Sequence, residues 1–266
     1  MNSIHKELNL IDIKCTALDL LIHFKNFCQD NNIRFFLSNG TLLGAIKYKG
    51  FIPWDDDIDV LVPREDYDKL IAVYRDNGCY RLFSQERESG FKFPFAKLCN
   101  ITTIKLEENV DNGVQLGIDI DIFPLDDCTS HICRFYIQSK IKLFFRGCVL
   151  AKLISSSGKP FYKRWIINYC RRRGYNWFNE HFEKQIKREA SFGATHKGCL
   201  IWPVYGEREI LPADVFSETI YIEFEGEKFP APIGYDTYLR SLYGNYELDP
   251  PLEKQKTHHS FIAYRI

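Results

Sequence analysis

Asp55, Asp56, Asp57 and Asp59 crowd into the stretch WDDDIDV, and an apolar run follows at once. Like charges beside a half-buried strand repel, and each carboxylate needs a partner as it leaves water. A cation is the simplest partner. Asp57 and Asp59 form a D-x-D pair whose side chains leave one face of an extended strand, joined by Asp55 if strand geometry already holds there, with Asp56 pointing away. Such a pair can bridge hard divalent cations, and Mg²⁺ typically combines one or two carboxylates with phosphate oxygens. A phosphate ester is therefore the expected ligand. In GIDIDIFPLDD the alternation puts Asp119 and Asp121 on one face of a later strand and Ile118, Ile120 and Ile122 on the other.

Other chemistries fit these residues less well. No Walker A loop can be threaded through SNGTLLGAIKYKG, although Gly40 and Thr41 offer backbone N–H groups at a helix start, a natural seat for an anion. An EF-hand fails because Val60 stands where the loop requires glycine. CTSHIC, with Cys128, His131 and Cys133, lacks the second ligand pair of a structural zinc site.

Several elements must position the carboxylates. ELNLIDIKCTALDLLIHFKNFCQD (7–30) carries a broad apolar stripe through Leu10, Ile13, Leu18, Leu21 and Phe24, which predicts an amphipathic helix. IRFFLSNG reads as a short buried strand ending at Gly40, followed by a short helix from Thr41. IDVLV (58–62) reads as a strand closed by Pro63, and REDYDKLIAVYRDNG as a helix with acidic residues in its first turn. Residues 80–125 look β-rich. The pattern predicts an α+β fold with a mixed sheet in a catalytic core over 1–127, a basic helical insertion over 128–179, and a C-terminal part over 180–266 that completes the site.

The insertion stands out by charge. From Cys128 to Asn179 there are many Lys and Arg and no Asp or Glu, interleaved with Phe, Trp and Tyr. Such a block suits an anionic bilayer or a phosphate-bearing glycolipid. The whole chain balances 35 Lys and Arg against 35 Asp and Glu, which argues against a coat for nucleic acid. The nine cysteines have no paired spacing and the first residues no secretory pattern, so reduced thiols in a cytoplasmic protein, peripheral at the inner face of the membrane, are expected. No apolar run approaches the roughly 20 residues needed to span a bilayer.

GTLLGAIKYKGFIPWDDDIDVLVPREDY, then FAKL, then GIDIDIFPLD, and finally YLRSLYGNY with PP and HH beyond it, resemble the LicD family, phosphocholine transferases of bacterial surface glycans related to fukutin-type ribitol-phosphate transferases. The resemblance implies a nucleotidyltransferase core of polymerase β type, with Gly40 and Thr41 at the glycine turn, Asp57 and Asp59 as the metal pair and Asp121 as the third carboxylate. It implies a Mg²⁺ or Mn²⁺ cofactor, a CDP-alcohol donor and a glycan or glycolipid acceptor. Lys97 of FAKL becomes the preferred phosphate clamp over Lys47 and Lys49, and His258 and His259 become candidate contacts to the donor. Arg240 and Tyr243 read as structural, and the roles of Asp55 and Asp119 stay open. SNG departs from the family pattern ahead of Thr41. Two rival readings share the carboxylates: a nucleotidyltransferase that moves NMP from an NTP, and a non-catalytic nucleotide-binding module.

Overall fold

In the computed structural model, residues 6–107, 113–129, 158–173, 175–257 and 261–266 are described. The chain opens with a two-residue strand β1 (Lys6–Glu7) and the long helix α1 (Leu10–Asp30). Asn9 and Asp12 close a reciprocal capping box at the start of α1, an arrangement generally worth about 1 kcal/mol. The helix buries Ile13, Ala17, Leu20, Leu21, Phe24 and Cys28 at three- and four-residue spacings. β2 (Phe36–Leu37) and α2 (Asn39–Tyr48) come next, then β3 (Asp59–Pro63) and α3 (Arg64–Val73).

β4 (Tyr80–Phe83), β5 (Ala96–Asn100), β6 (Thr103–Glu107) and β7 (Ile118–Cys128) make up the β-rich stretch. Helices α4 (Phe161–Arg173) and α5 (Tyr175–Ala190) lead to β8 (His196–Gly198) and β9 (Leu211–Pro212). The hairpin β10 (Thr219–Phe224) and β11 (Glu227–Pro232), helix α6 (Tyr235–Tyr243) and β12 (Phe261–Arg265) finish the chain.

The main sheet runs β2-β3-β7-β5-β4, with β8 and β9 extending it from the far end of β7. β3 and β7 are parallel, whereas β2, β5 and β4 pair antiparallel to their neighbours. This is the mixed α/β architecture expected from the sequence. The central strand β7 is buried along most of its length, with Ile118, Ile120 and Ile122 on one face and Phe123 and Leu125 on the other. A second sheet, β1-β12-β6, ties the two ends of the chain together.

Two boundaries differ from the sequence reading. The strand expected over IRFFLSNG contracts to Phe36–Leu37, and the helix expected from Thr41 begins at Asn39. Asn39 adopts a left-handed φ of 46°, a conformation that Asn tolerates better than most residues, and so turns the chain into α2. At the other end of α2 the chain folds back so tightly that a Cβ on Gly44 would lie 2.4 Å from the carbonyl oxygen of Gly50. Glycine is required there by the close approach of backbone to backbone.

Candidate active site

Parallel pairing of β3 with β7 sets Asp59 directly beside Asp121. Antiparallel pairing of β5 sets Lys97 on the other side of Asp121. Sheet register alone therefore lines up three ionisable residues from segments widely separated in sequence. Asp59 is fixed from several directions. Its backbone N–H donates to Thr41 Oγ1 at 2.8 Å, and Asn39 Nδ2 donates to its Oδ2 at 3.1 Å. Asn39 is in turn held by Tyr238, whose hydroxyl donates to Asn39 Oδ1 at 2.9 Å. This chain of contacts tethers the strand carboxylate to α6.

Asp55, Asp56 and Asp57 precede the strand, because β3 begins only at Asp59. The alternation expected to put Asp56 on the opposite face already holds in this loop, since Asp55, Asp57 and Asp59 line the cleft while Asp56, Ile58 and Val60 are buried; carboxylate oxygens of Asp55, Asp56 and Asp57 still lie within 4.8 Å of one another. Asp56 also accepts a hydrogen bond from Thr257 Oγ1 at 3.0 Å, bringing the C-terminal segment against the cluster. Asp55 packs on Gly40, where a Cβ would stand 2.7 Å from Asp55 Oδ2.

The electrostatics of the open carboxylates follow from crowding. Burial, reinforced by Asp57 and Asp121, raises Asp59 well above the ordinary carboxylate range. Burial also pushes Asp121 up to about 6, with Lys97 pulling it down and Asp119 pushing it up. Asp119 goes the other way: burial would raise it, but Lys105 and Lys97 hold it far below the usual range. Lys97 Nζ donates to Asp119 Oδ2 at 2.6 Å and to Asp121 Oδ1, while Lys105 donates to the other oxygen of Asp119. Lys97 also lies over the rings of Phe93 and Phe95, at 4.8 and 5.5 Å from their centroids.

Asp55, Asp57, Asp59 and Asp121 face a cleft of about 850 Å³. Gly40, Asn39 and Lys47 line it on the α2 side, and Trp202, Tyr205 and Tyr243 on the C-terminal side. A carboxylate-rich wall with a helix start beside it suits a hard cation together with a phosphate-bearing ligand, since carboxylate oxygens are the donors that Mg²⁺ and Mn²⁺ prefer.

The predicted site residues fall into three groups. Gly40, Asp57, Asp59 and Asp121 meet at the cleft, and Thr41 lies buried just behind it with its hydroxyl engaged by Asp59. Lys97 is 5% exposed and points into the sheet toward Asp119 and Asp121. His258 and His259 lie outside the described residues, two positions at most beyond Thr257. Of the other lysines considered, Lys47 pairs with Asp249 at 2.5 Å and Lys49 with Glu223 at 3.4 Å. Arg240 pairs with Asp236 and Glu247, as a structural residue would. Tyr243, read as structural, lines the cleft. Sequence reasoning also missed Asn39 as the orienting partner of Asp59, though the Asn-Gly dipeptide marked a special backbone there.

Comparison with known proteins gives the family of the chain. The LicD/FKTN/FKRP nucleotidyltransferase domain matches residues 32–154, a span that contains α2, β3, β5 and β7. The lipopolysaccharide cholinephosphotransferase LicD of Haemophilus influenzae is 30% identical over 275 aligned positions, covering 97% of this chain and 99% of that protein. The chain belongs to the LicD family. It is accordingly an enzyme, a transferase of the LicD kind. Two uncharacterised rickettsial proteins share shorter stretches: one from Rickettsia typhi is 38% identical over 55 residues, covering 20% of this chain and 18% of its own length. The other, from Rickettsia prowazekii, is 50% identical over 36 residues, 14% of each chain.

Proposed function

We propose that this LicD-family enzyme transfers a phospho-alcohol group, phosphocholine in the first instance, from a CDP-activated donor to a sugar hydroxyl of a surface-glycan precursor. CMP is the other product. The observation that carries the reading is the convergence of Asp57, Asp59 and Asp121 on one cleft, in a chain that aligns end to end with a cholinephosphotransferase. The strand pair that delivers Asp59 and Asp121, with the start of α2 beside it, supports a nucleotidyltransferase core of polymerase β type.

Asp57, Asp59 and Asp121 would hold Mg²⁺, or Mn²⁺ in its place. When bound, the ion would neutralise phosphate charge and favour in-line displacement at phosphorus. The remaining work belongs to the protein's own groups. Asn39 and Thr41 orient Asp59. Gly40 lets Asp55 pack against the start of α2 and lines the cleft there, where backbone N–H groups favour an anion. Asp121, beside Asp59 on the cleft, completes the metal site or, where it does not ligate the ion, is the group placed to accept the hydroxyl proton. The acceptor oxygen then bonds to the phosphorus bearing the alcohol, and the bond to CMP breaks as CMP departs with its oxygen.

The acceptor side rests on the basic segment. Residues 130–157 lie outside the described part, but α4 presents Phe161, Tyr162, Trp165 and Tyr169 to solvent together with Lys163, Arg164 and Arg172. That face supports peripheral contact with an anionic bilayer carrying a glycolipid acceptor, at its cytoplasmic side. Among the described residues no helix is long and apolar enough to cross a membrane.

The reading is tested by product release from CDP-choline, CDP-ribitol, CDP-glycerol and the four NTPs. CMP from a CDP-alcohol with Mg²⁺ present is the expected result. Pyrophosphate from an NTP, or binding with no turnover, contradicts it.

A further inference from the structure

Two aromatic pairs line the cleft, and they differ in their surroundings. Tyr48 and Trp54 lie with ring centroids 6.3 Å apart, but the Lys47 ammonium already sits 5.4 Å from the Tyr48 centroid and the Tyr48 hydroxyl is committed to Asp249. Tyr205 and Tyr243 lie with centroids 5.2 Å apart at 75°, their hydroxyls 3.4 Å from each other. Tyr205 and Tyr243 line the cleft together with Asp55, Asp57, Asp59 and Asp121, so this second pair shares the cavity with the carboxylate wall.

Rings set near a right angle form a corner. A flat base needs parallel faces to stack on, whereas a rounded cation meets two π surfaces in a corner at once. We propose that the Tyr205–Tyr243 corner seats the quaternary ammonium of the donor and is the feature that selects choline over an uncharged alcohol. The proposal rests on the reading above, in which the phosphorus lies against Asp57, Asp59 and Asp121. Only an ethylene unit and one ester oxygen separate the choline nitrogen from that phosphorus. A seat for it must lie on the cleft that holds the carboxylates; both aromatic pairs line that cleft, but a cation, Lys47, already sits over Tyr48.

The test compares CDP-choline with its neutral carbon isostere, the CDP ester of 3,3-dimethylbutanol, which keeps the shape and removes the charge. CMP release by the unaltered enzyme should favour CDP-choline roughly tenfold in kcat/KM, in the range of desolvated cation–π contacts. Tyr205→Leu and Tyr243→Leu should bring that ratio close to one, while Tyr205→Phe and Tyr243→Phe, which keep the ring faces, should retain most of it. Equal use of both donors by the unaltered enzyme overturns the proposal without any variant. A Leu substitution that slows both donors by the same factor also overturns it. Absence of CMP from every CDP-alcohol overturns the underlying transfer reading instead, a different signature from an unchanged ratio.

Discussion

Asp119 and Asp121 stand two positions apart on β7, leave the same face of the strand and touch the same lysine, yet their carboxyls are pushed in opposite directions. The Asp119 side chain is 2% exposed and clasped by Lys97 and Lys105, which hold it ionised. The Asp121 side chain is 23% exposed, shares only Lys97, and faces Asp59 and the cleft with a carboxyl pushed up to about 6. The difference comes from neighbouring strands: β6 supplies the second cation to one, and β3 supplies a second carboxylate to the other. A sealed ion-paired anchor thus sits behind the cleft carboxylates, and Lys97 belongs to both.

That contrast can be broken from either end. Loss of a cleft carboxylate should have the largest effect. Asp59→Asn, and likewise Asp57→Asn, should lower CMP release by more than the tenfold to hundredfold typical of lost outer-shell partners to a metal site, so at least about hundredfold. The fold should persist, because removing one of several like charges relieves repulsion; near-parental turnover would reject the assignment. Lys97→Met attacks the anchor. It takes the shared lysine from Asp121 and leaves Asp119 with Lys105, and removing one partner of a buried ion pair typically costs about 3–5 kcal/mol. Urea denaturation should show the loss, and Lys97→Met combined with Asp119→Asn should recover part of it. An unchanged midpoint for the single variant would mean that the network is not the anchor described.

Smaller effects sharpen the account. Asn39→Ala removes the donor to Asp59 Oδ2 and should reduce turnover about tenfold, as outer-shell changes do, with some loss of stability because Ala fits the left-handed backbone less well. Glu209 supplies a control for burial alone. It is buried and accepts the Tyr205 N–H at 2.5 Å, and its carboxyl is pushed up to about 8 by burial, with backbone hydrogen bonds opposing. Its folded form holds a proton that the unfolded chain releases near pH 4.5, so its contribution is fully present below that value and is lost as pH rises toward 8. The slope is at most about 1.4 kcal/mol per pH unit. Glu209→Gln should flatten this part of the pH–stability curve in thermal denaturation, and a curve superimposable on the parent would contradict the burial argument.

The parts of this site that could be read in the sequence are those governed by short-range rules. Alternation along GIDIDIF placed Asp119 and Asp121 on one face, and both do reach Lys97. The D-x-D spacing and the Gly-Thr turn marked a real cluster, because residues close in sequence stay close in space. Asp56 follows the same rule: the two-residue period holds even in the loop ahead of β3, with Asp55, Asp57 and Asp59 on the cleft and Asp56 buried. The aromatic side of the cleft was illegible, since Trp202, Tyr205 and Tyr243 arrive from far along the chain with no periodic signature. Lys97 carried a motif but no sign of direction; only the register of β5 against β7 turns it toward Asp119 and Asp121 instead of the cleft.

The central claim is that the cleft carboxylates hold a divalent cation. Electron paramagnetic resonance of Mn²⁺ titrated into the metal-stripped protein, with Asp59→Asn alongside, addresses it most directly. Saturable loss of the free Mn²⁺ signal in the parent and a severalfold weaker affinity in the variant is the predicted result. Equal binding by both proteins, or none by either, would contradict it.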